Sequence, residues 1–412
     1  MKPDELTTAT TSTTGWSPDN ITYCSNVHAG ENLDDILRNL DQFNQAVRQQ
    51  RGLNAMTSGL WLSAIAAETL KDPDQLIRFK HRLSATNINL TSINGFPFGN
   101  FHDEQVKEKV YLPDWSDTAR LNYTKNLADI LANCLPENTT LGAISTLPLG
   151  YKLFWNKNKQ TAANKNIQAM LQYLAKLYQT TSKKIILCIE MEPDCVLEST
   201  ENLLHYFQQH VQGKMLHCEF LGICFDVCHQ AVMFEDIKLS LTKIIAAGIR
   251  IGKIQLSNAL QVNLNTPNTQ QTLQYLHEFS EPKYLHQVKA INSNQQLQSS
   301  TDLTAALLAL KKSSNDTLPL TSLWRIHFHV PLHTETLLHP SLSTTKQALY
   351  DVFDFLQQHK NVKPYLEVET YSWQVLPESL RPMNNAQLID GIVSELNWVQ
   401  NELQKRNLLT EM

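Results

Sequence analysis

The chain has 412 residues, 42% of them hydrophobic and 18% charged, and its 35 basic and 40 acidic side chains give a formal charge of −5. Such a composition is globular and offers no global basic field to a phosphate backbone, so nucleic acid is not expected as a partner. No stretch approaches the ~18 consecutive apolar residues of a membrane span, and the polar opening lacks the apolar core of a signal peptide, so a cytoplasmic protein without direct membrane insertion is expected.

The first twenty residues are rich in Thr and Ser, which predicts a disordered tail over 1–20. From residue 21 onward, short apolar or β-branched runs alternate with longer segments of helical period. The runs at 21–26, 59–64, 88–95, 142–148, 184–193, 221–229, 251–259, 322–331 and 364–373 read as strands. The segments 32–50, 117–135, 164–180 and 346–359 space their apolar residues near 3.6 and read as helices. Strand, helix and strand repeated about eight times argue for a parallel sheet closed into a (β/α)8 TIM barrel, here a single domain over 21–412. Nine runs are one too many for the ring. A hairpin around Asn292, Ser293 and Asn294 and a helix over 302–311 place the surplus in an insertion at about 260–321. Periodicity leaves open whether 322–331 or 364–373 closes the barrel. The seven cysteines (24, 134, 188, 195, 218, 224 and 228) are scattered and read as reduced, mostly packed thiols.

In such a barrel the chemistry sits where strands end. The runs end in Glu190 and Glu192, in Asp226 and His229, in Gln255, Ser257 and Asn258, in His327, His329 and His333, and in Glu367 and Glu369. Carboxylates and an amide oxygen converging from four strands make an oxygen-rich pocket for Mn²⁺ or Mg²⁺, and imidazole would admit Zn²⁺ or Co²⁺. In Asp226-Val227-Cys228-His229 the spacing lets the acid point into the barrel while the imidazole leans in from the rim. A single strand-end acid is as readily a helix cap; four in one topological position favour a site. The Cys-x₃-Cys of Cys224 and Cys228 lacks a second pair and reads as packing.

E-P at 192–193, D-x-x-H at 226–229, I-Q-L-S-N at 254–258 and V-E-T-Y at 368–371 together resemble the xylose-isomerase-like TIM barrel superfamily of sugar phosphate isomerases and epimerases. The resemblance implies one divalent metal held by Glu192 or Glu190, Asp226, Gln255 and Glu369, with His229 on the substrate. Glu192 is favoured over Glu190 by the E-P-x-x-x-x-E segment that ends at Glu198. Longer segments are similar to the metabolite traffic protein EboE family: TYCSNVHAGE, SINGFPFGNFHDEQVKEKVYLPDW, ISTLPLGYK, IEMEPDCVLEST, YLHQV, HFHVPL and LEVETYSW. Met191 departs from it, standing where that family's E-P-E-P run would have Pro. Membership implies synthesis or trafficking of a metabolite, with other ebo-operon products as partners.

The expected activity is metal-dependent isomerisation or epimerisation of a small polar hydroxy-carbonyl metabolite. Glu192 and Glu369 would move the proton and His229 would polarise a substrate oxygen. His28, Asn94, His102, Lys152, His327 and His329 are expected as substrate contacts on the rim. Lys107 and Lys109 would meet a phosphate or carboxylate, unless they are only a solvated charged loop. The alternatives are metal-dependent phosphoester hydrolysis, as in the endonuclease IV-like branch, and non-catalytic metabolite binding.

Overall fold

A computed structural model describes residues 15–312, 318–320 and 322–410. Seven strands come first: β1 (Ile21–Tyr23), β2 (Met56–Trp61), β3 (Ile88–Asn94), β4 (Leu141–Thr146), β5 (Lys184–Ile189), β6 (Leu221–Asp226) and β7 (Arg250–Leu256). Five more follow, β8 (Ala259–Asn263), β9 (Val288–Ile291), β10 (Leu297–Ser300), β11 (Leu323–His329) and β12 (Leu342–Thr344), before β13 (Tyr365–Val368). The first seven and β13 form one parallel sheet in the order β1-β13-β7-β6-β5-β4-β3-β2. A parallel bridge between Cys24 and Gly59 brings β1 to β2, so the sheet curls into a nearly closed eight-stranded barrel. Helices cover its outside, which is why strands such as Lys184–Ile189 read as unbroken apolar runs.

Ring closure falls to β13, and the run at 322–331 belongs elsewhere. As β11 it lies inside a second, antiparallel sheet of order β10-β9-β11-β8-β12. The added sheet therefore spans residues 259–344, beyond the 260–321 expected from sequence. The reason is burial: β11 pairs with a neighbour on both edges and is covered on both faces, so it carries the apolar pattern of a barrel strand. The expected hairpin is β9 and β10, with the Asn292 side chain accepting from the backbone N–H groups of Asn294 and Gln296 in its turn. The helix Leu303–Lys312 follows it.

Residues 1–14 of the expected disordered tail lie outside the described residues. Residues 15–20 are ordered. Trp16 is buried, and its backbone N–H donates to Leu408 O while its carbonyl accepts from Thr410 N–H, tying the start of the described chain to its end. A buried indole outweighs the polar composition around it.

The barrel interior is filled in layers. Asp226, Gln255 and Glu367 are register neighbours on β6, β7 and β13. Lys253, one step lower on β7, reaches Glu367 at 2.8 Å, and Ser92 donates to the same carboxylate. Gly59 has no side chain because Glu367 occupies its space: a Cβ there would overlap the carboxylate. Among the described residues no helix is long and apolar enough to cross a membrane.

Candidate functional site

Above that layer a cleft of about 530 Å³, counting its open mouth, lies at the C-terminal ends of the barrel strands. Asn94, Glu190, Glu192, His229 and Glu369 line it from the barrel, and His327 and His329 line it from β11. All seven are residues singled out from sequence, and all but the two β11 histidines stand at or just past barrel strand ends. Those histidines are not rim contacts. They are buried, His329 beside Asp226 and His229 and His327 beside Glu192 and His229, and a register shift between Ile326 and His329 against β8 accompanies this turn of the end of β11 toward the barrel mouth.

Asp226 sits at the centre, fully buried. Its Oδ1 accepts from Ser257 Oγ at 2.7 Å and from the backbone N–H of His229 at 3.0 Å. That second bond caps the short helix Val227–Val232, so the D-x-x-H spacing is the geometry of a helix start rather than a strand turning into a loop. Capping uses one oxygen and leaves Oδ2 without a partner. Glu190 Oε1 and Glu192 Oε2 are likewise buried and unpartnered. Glu192 Oε1 accepts from Tyr111 Oη at 2.6 Å. Glu369 Oε1 accepts from Asn26 Nδ2 at 2.9 Å and Asn94 Nδ2 at 3.2 Å.

Burial raises the carboxyls of Glu190 and Glu369 well above the usual range, with the Asp226 charge adding to both. Burial also raises Glu192, with His229 and the Tyr111 hydroxyl acting against it. Burial pushes Asp226 up too, but His229, His329 and the Ser257 bond outweigh it and hold the group below its ordinary value. Acids gathered so closely are costly to ionise together, and Lys253 in the layer below offsets only part of that cost for Glu190 and Glu369.

The imidazoles supply a complementary set of donors. His229 Nδ1 lies 2.9 Å from Met191 O and His329 Nδ1 2.6 Å from Glu369 O. A carbonyl only accepts, so each Nδ1 carries a proton. His327 Nδ1 lies 2.7 Å from Gln287 Oε1, and the orientation of that amide is fixed because its Nε2 donates to Pro193 O at 3.1 Å. The Nε2 atoms of His327 and His329 then face each other at 3.3 Å, lone pair to lone pair. Burial holds His327 well below its usual pKa and His329 down at about 4, so both are neutral near pH 7. Nδ1–H groups pinned by carbonyl oxygens, with Nε2 free, are the usual dress of metal-ligating histidines. Asp226, His229 and His329 form one group whose ligand atoms lie within 4.8 Å of one another, and Glu192, His229 and His327 form another.

Five expected site residues do not line the cleft: Asp226, which is fully buried beside His229 and His329, and Gln255, Lys152, His28 and His102. Gln255 is fully buried below it, with Oε1 accepting from Cys224 Sγ at 3.1 Å, so its amide oxygen is turned away from the acids above. Lys152 is exposed and pairs with Glu198. His28 stacks on Phe43 and bonds to Tyr23 Oη behind the β1 end. His102 is turned to Asn26 O at 2.8 Å. Lys107 does line the cleft, but its ammonium is held by Asp302 at 2.8 Å and Tyr284 O at 2.6 Å. Tyr111, Asn26 and Gln287 were not anticipated individually. Each lies in one of the segments that carried the family resemblance, and that was their only signal.

No protein-family model matches the sequence. No curated protein matches it either. Solved structures do. A xylose isomerase-like TIM barrel protein from Mycobacterium smegmatis, in complex with magnesium, is 9% identical with a TM-score of 0.51, over 94% of this chain and 99% of that one. A xylose isomerase domain protein from Planctomyces limnophilus is 12% identical with a TM-score of 0.49, over 95% of this chain and 99% of that one. The 3-keto-D-glucoside 4-epimerase of E. coli is 11% identical with a TM-score of 0.45, over 93% and 99%. At these identities the likeness speaks for architecture, and the chain has the fold of a xylose-isomerase-like TIM barrel carrying a second sheet between its seventh and eighth barrel strands.

Proposed function

We propose that the cleft holds a divalent metal and that the protein is a metal-dependent isomerase or epimerase of a small hydroxy-carbonyl compound. The observation that supports this most directly is the donor set: buried carboxylate oxygens without partners on Asp226, Glu190 and Glu192, beside the imidazoles of His229, His327 and His329, whose ligand atoms group with Asp226 and Glu192 within 4.8 Å. Mixed oxygen and nitrogen donors suit Mn²⁺, Co²⁺ or Zn²⁺ better than Mg²⁺. When bound, the metal would supply Lewis acidity toward neighbouring oxygens of the substrate.

The chain's own groups then handle the proton. Glu369, held by Asn26 and Asn94 and raised by burial, takes the proton from the carbon next to the carbonyl. In isomerisation Glu369 returns that proton to the neighbouring carbon; in epimerisation Glu369 keeps it, and Glu192, oriented by Tyr111 and starting protonated, gives its own proton to the opposite face. His229, its Nδ1 bonded to Met191 O and grouped with Asp226 and His329, is a candidate metal ligand. Glu190, Asp226 and His329 complete the candidate ligands. Gln255 is not among them.

Metal-assisted hydrolysis is the second reading, favoured by the imidazoles, which also suit a site that generates hydroxide. Against a phosphoester stands the lining: among the described residues its only lysine is Lys107, and that ammonium is already bound. Assignment to the EboE family, with a cytoplasmic role in making or trafficking a metabolite, is supported by the seven similar sequence segments alone.

Elemental analysis of purified wild type and Asp226→Ala after incubation with Mn²⁺, Co²⁺, Zn²⁺ or Mg²⁺ tests the metal. We expect about one ion per wild-type chain and loss in the variant; a wild type that stays empty overturns the proposal. Glu369→Gln then separates catalysis from binding. Turnover of hydroxy-carbonyl substrates should fall by about 10²–10⁴-fold if the carboxylate moves the proton, and unaltered turnover would remove it from that role.

A further inference from the structure

The floor of the cleft is acidic, but its walls are not. The long loop after β3 contributes Phe101, Val106 and Val110, the inserted segment contributes Tyr284, and the chain after β13 contributes Tyr371. Three of these side chains stand as a triangle of rings: Phe101 to Tyr284 at 5.1 Å, Phe101 to Tyr371 at 5.5 Å and Tyr284 to Tyr371 at 5.0 Å between centroids. Trp61 backs Phe101 at 6.0 Å. Phe101, Val106, Tyr284 and Trp61 form a hydrophobic cluster separate from the main core, with Val110 and Tyr371 packed on it. This cluster, set apart from the main core, presents apolar and aromatic surface to the cleft beside its acidic floor.

Charge narrows the class further. Lys107 is spent on Asp302, Tyr284 O and Glu281 O. Lys283, beside the same wall, donates to His102 O, and Lys289 is bound by Asp194. A phosphate or carboxylate on the substrate would find no free cationic side chain among the described residues lining the cleft, and it would face Glu190, Glu192 and Glu369. We infer that the substrate is a neutral, amphipathic molecule, with a hydroxy-carbonyl or polyol head on the acidic floor and an aromatic or similarly flat apolar group against the Phe101, Tyr284 and Tyr371 wall. The head rests on the metal-dependent function proposed above; the apolar group rests on the wall alone.

Calorimetric titration of the full chain with phenyl β-D-glucoside, methyl β-D-glucoside and glucose 6-phosphate, each with and without Mn²⁺, tests this. Burial of one phenyl group predicts binding roughly 10- to 100-fold tighter for the phenyl than for the methyl glucoside. Phe101→Ala should erase that preference, and Val110→Ser, at the half-buried edge of the wall, should reduce it if the first variant fails to fold. Equal binding of the two glucosides, no binding of either, or tightest binding of the phosphate overturns the inference. Metal content measured on the same samples keeps the two proposals apart: bound metal without an aryl preference fells this one, and an aryl preference in protein that takes up no metal fells the metal-dependent function.

Discussion

Glu367 and Glu369 stand two residues apart at the end of β13, and the barrel treats them differently. Glu367 is fully buried, paired with Lys253 and bonded by Ser92. Glu369 lines the cleft, accepting from the neutral amides of Asn26 and Asn94 and set against Asp226, with Lys253 acting on it only from the layer below. Identical side chains two residues apart thus divide into an acid in direct contact with a lysine and an acid that, among the described residues, has no direct ion pair.

Removing the built-in cation should have the largest effect. Lys253→Met leaves Glu367 uncompensated in the barrel centre, and urea denaturation should show a loss of about 3–5 kcal/mol. Adding Glu367→Leu should restore much of it; a single variant as stable as wild type would show that the lower acid is not held by charge. Glu395 extends the comparison to an acid with donors but no cation. Buried on the helix Asn385–Lys405, it accepts from Thr370 Oγ1, Leu332 N–H and Trp373 Nε1, and burial still lifts its pKa from 4.5 to about 7. With the folded value raised, the folded state holds the proton more tightly. Stability is therefore fullest below pH 4.5 and falls as pH rises through 7, by on the order of 3 kcal/mol. Glu395→Gln should flatten that part of a melting-temperature profile, and an unchanged slope would place the pH dependence elsewhere.

Supplying a divalent cation should stabilise by mass action. Mn²⁺ or Zn²⁺ at a hundred times its dissociation constant should raise unfolding stability by about 2.7 kcal/mol, and Asp226→Ala should abolish the gain. A metal-induced gain that persists in that variant would move the ion away from the acids. The smallest effect is expected at the surface, where Lys152 pairs with Glu198 in solvent. Lys152→Ala should cost less than about 1 kcal/mol and leave ligand binding unaltered, and a clear loss of binding would return Lys152 to the site.

Much of the site was legible because strand-end position is written locally: Glu190, Glu192, Asp226, His229 and Glu369 each follow an apolar run that has to stop at the barrel mouth. Gln255 shows the limit of that logic. It occupies the same topological level as Asp226, yet its amide turns to Cys224, and nothing in its neighbours along the chain distinguishes up from down. His327 and His329 show the converse: their strand pattern was visible, but not that the strand belongs to another sheet and turns its end toward the barrel mouth.

By itself the sequence determined the repeating parallel units, the strand-end acids and the D-x-x-H pair, because periodicity and caps depend on residues within a few positions of one another. Only the tertiary structure decided which run closes the ring, which histidines stand beside Asp226, and which acid pairs directly with Lys253. Those outcomes depend on partners as distant in the chain as Lys253 from Ser145, or Glu369 from Asn26, and on a shared burial that no local pattern records.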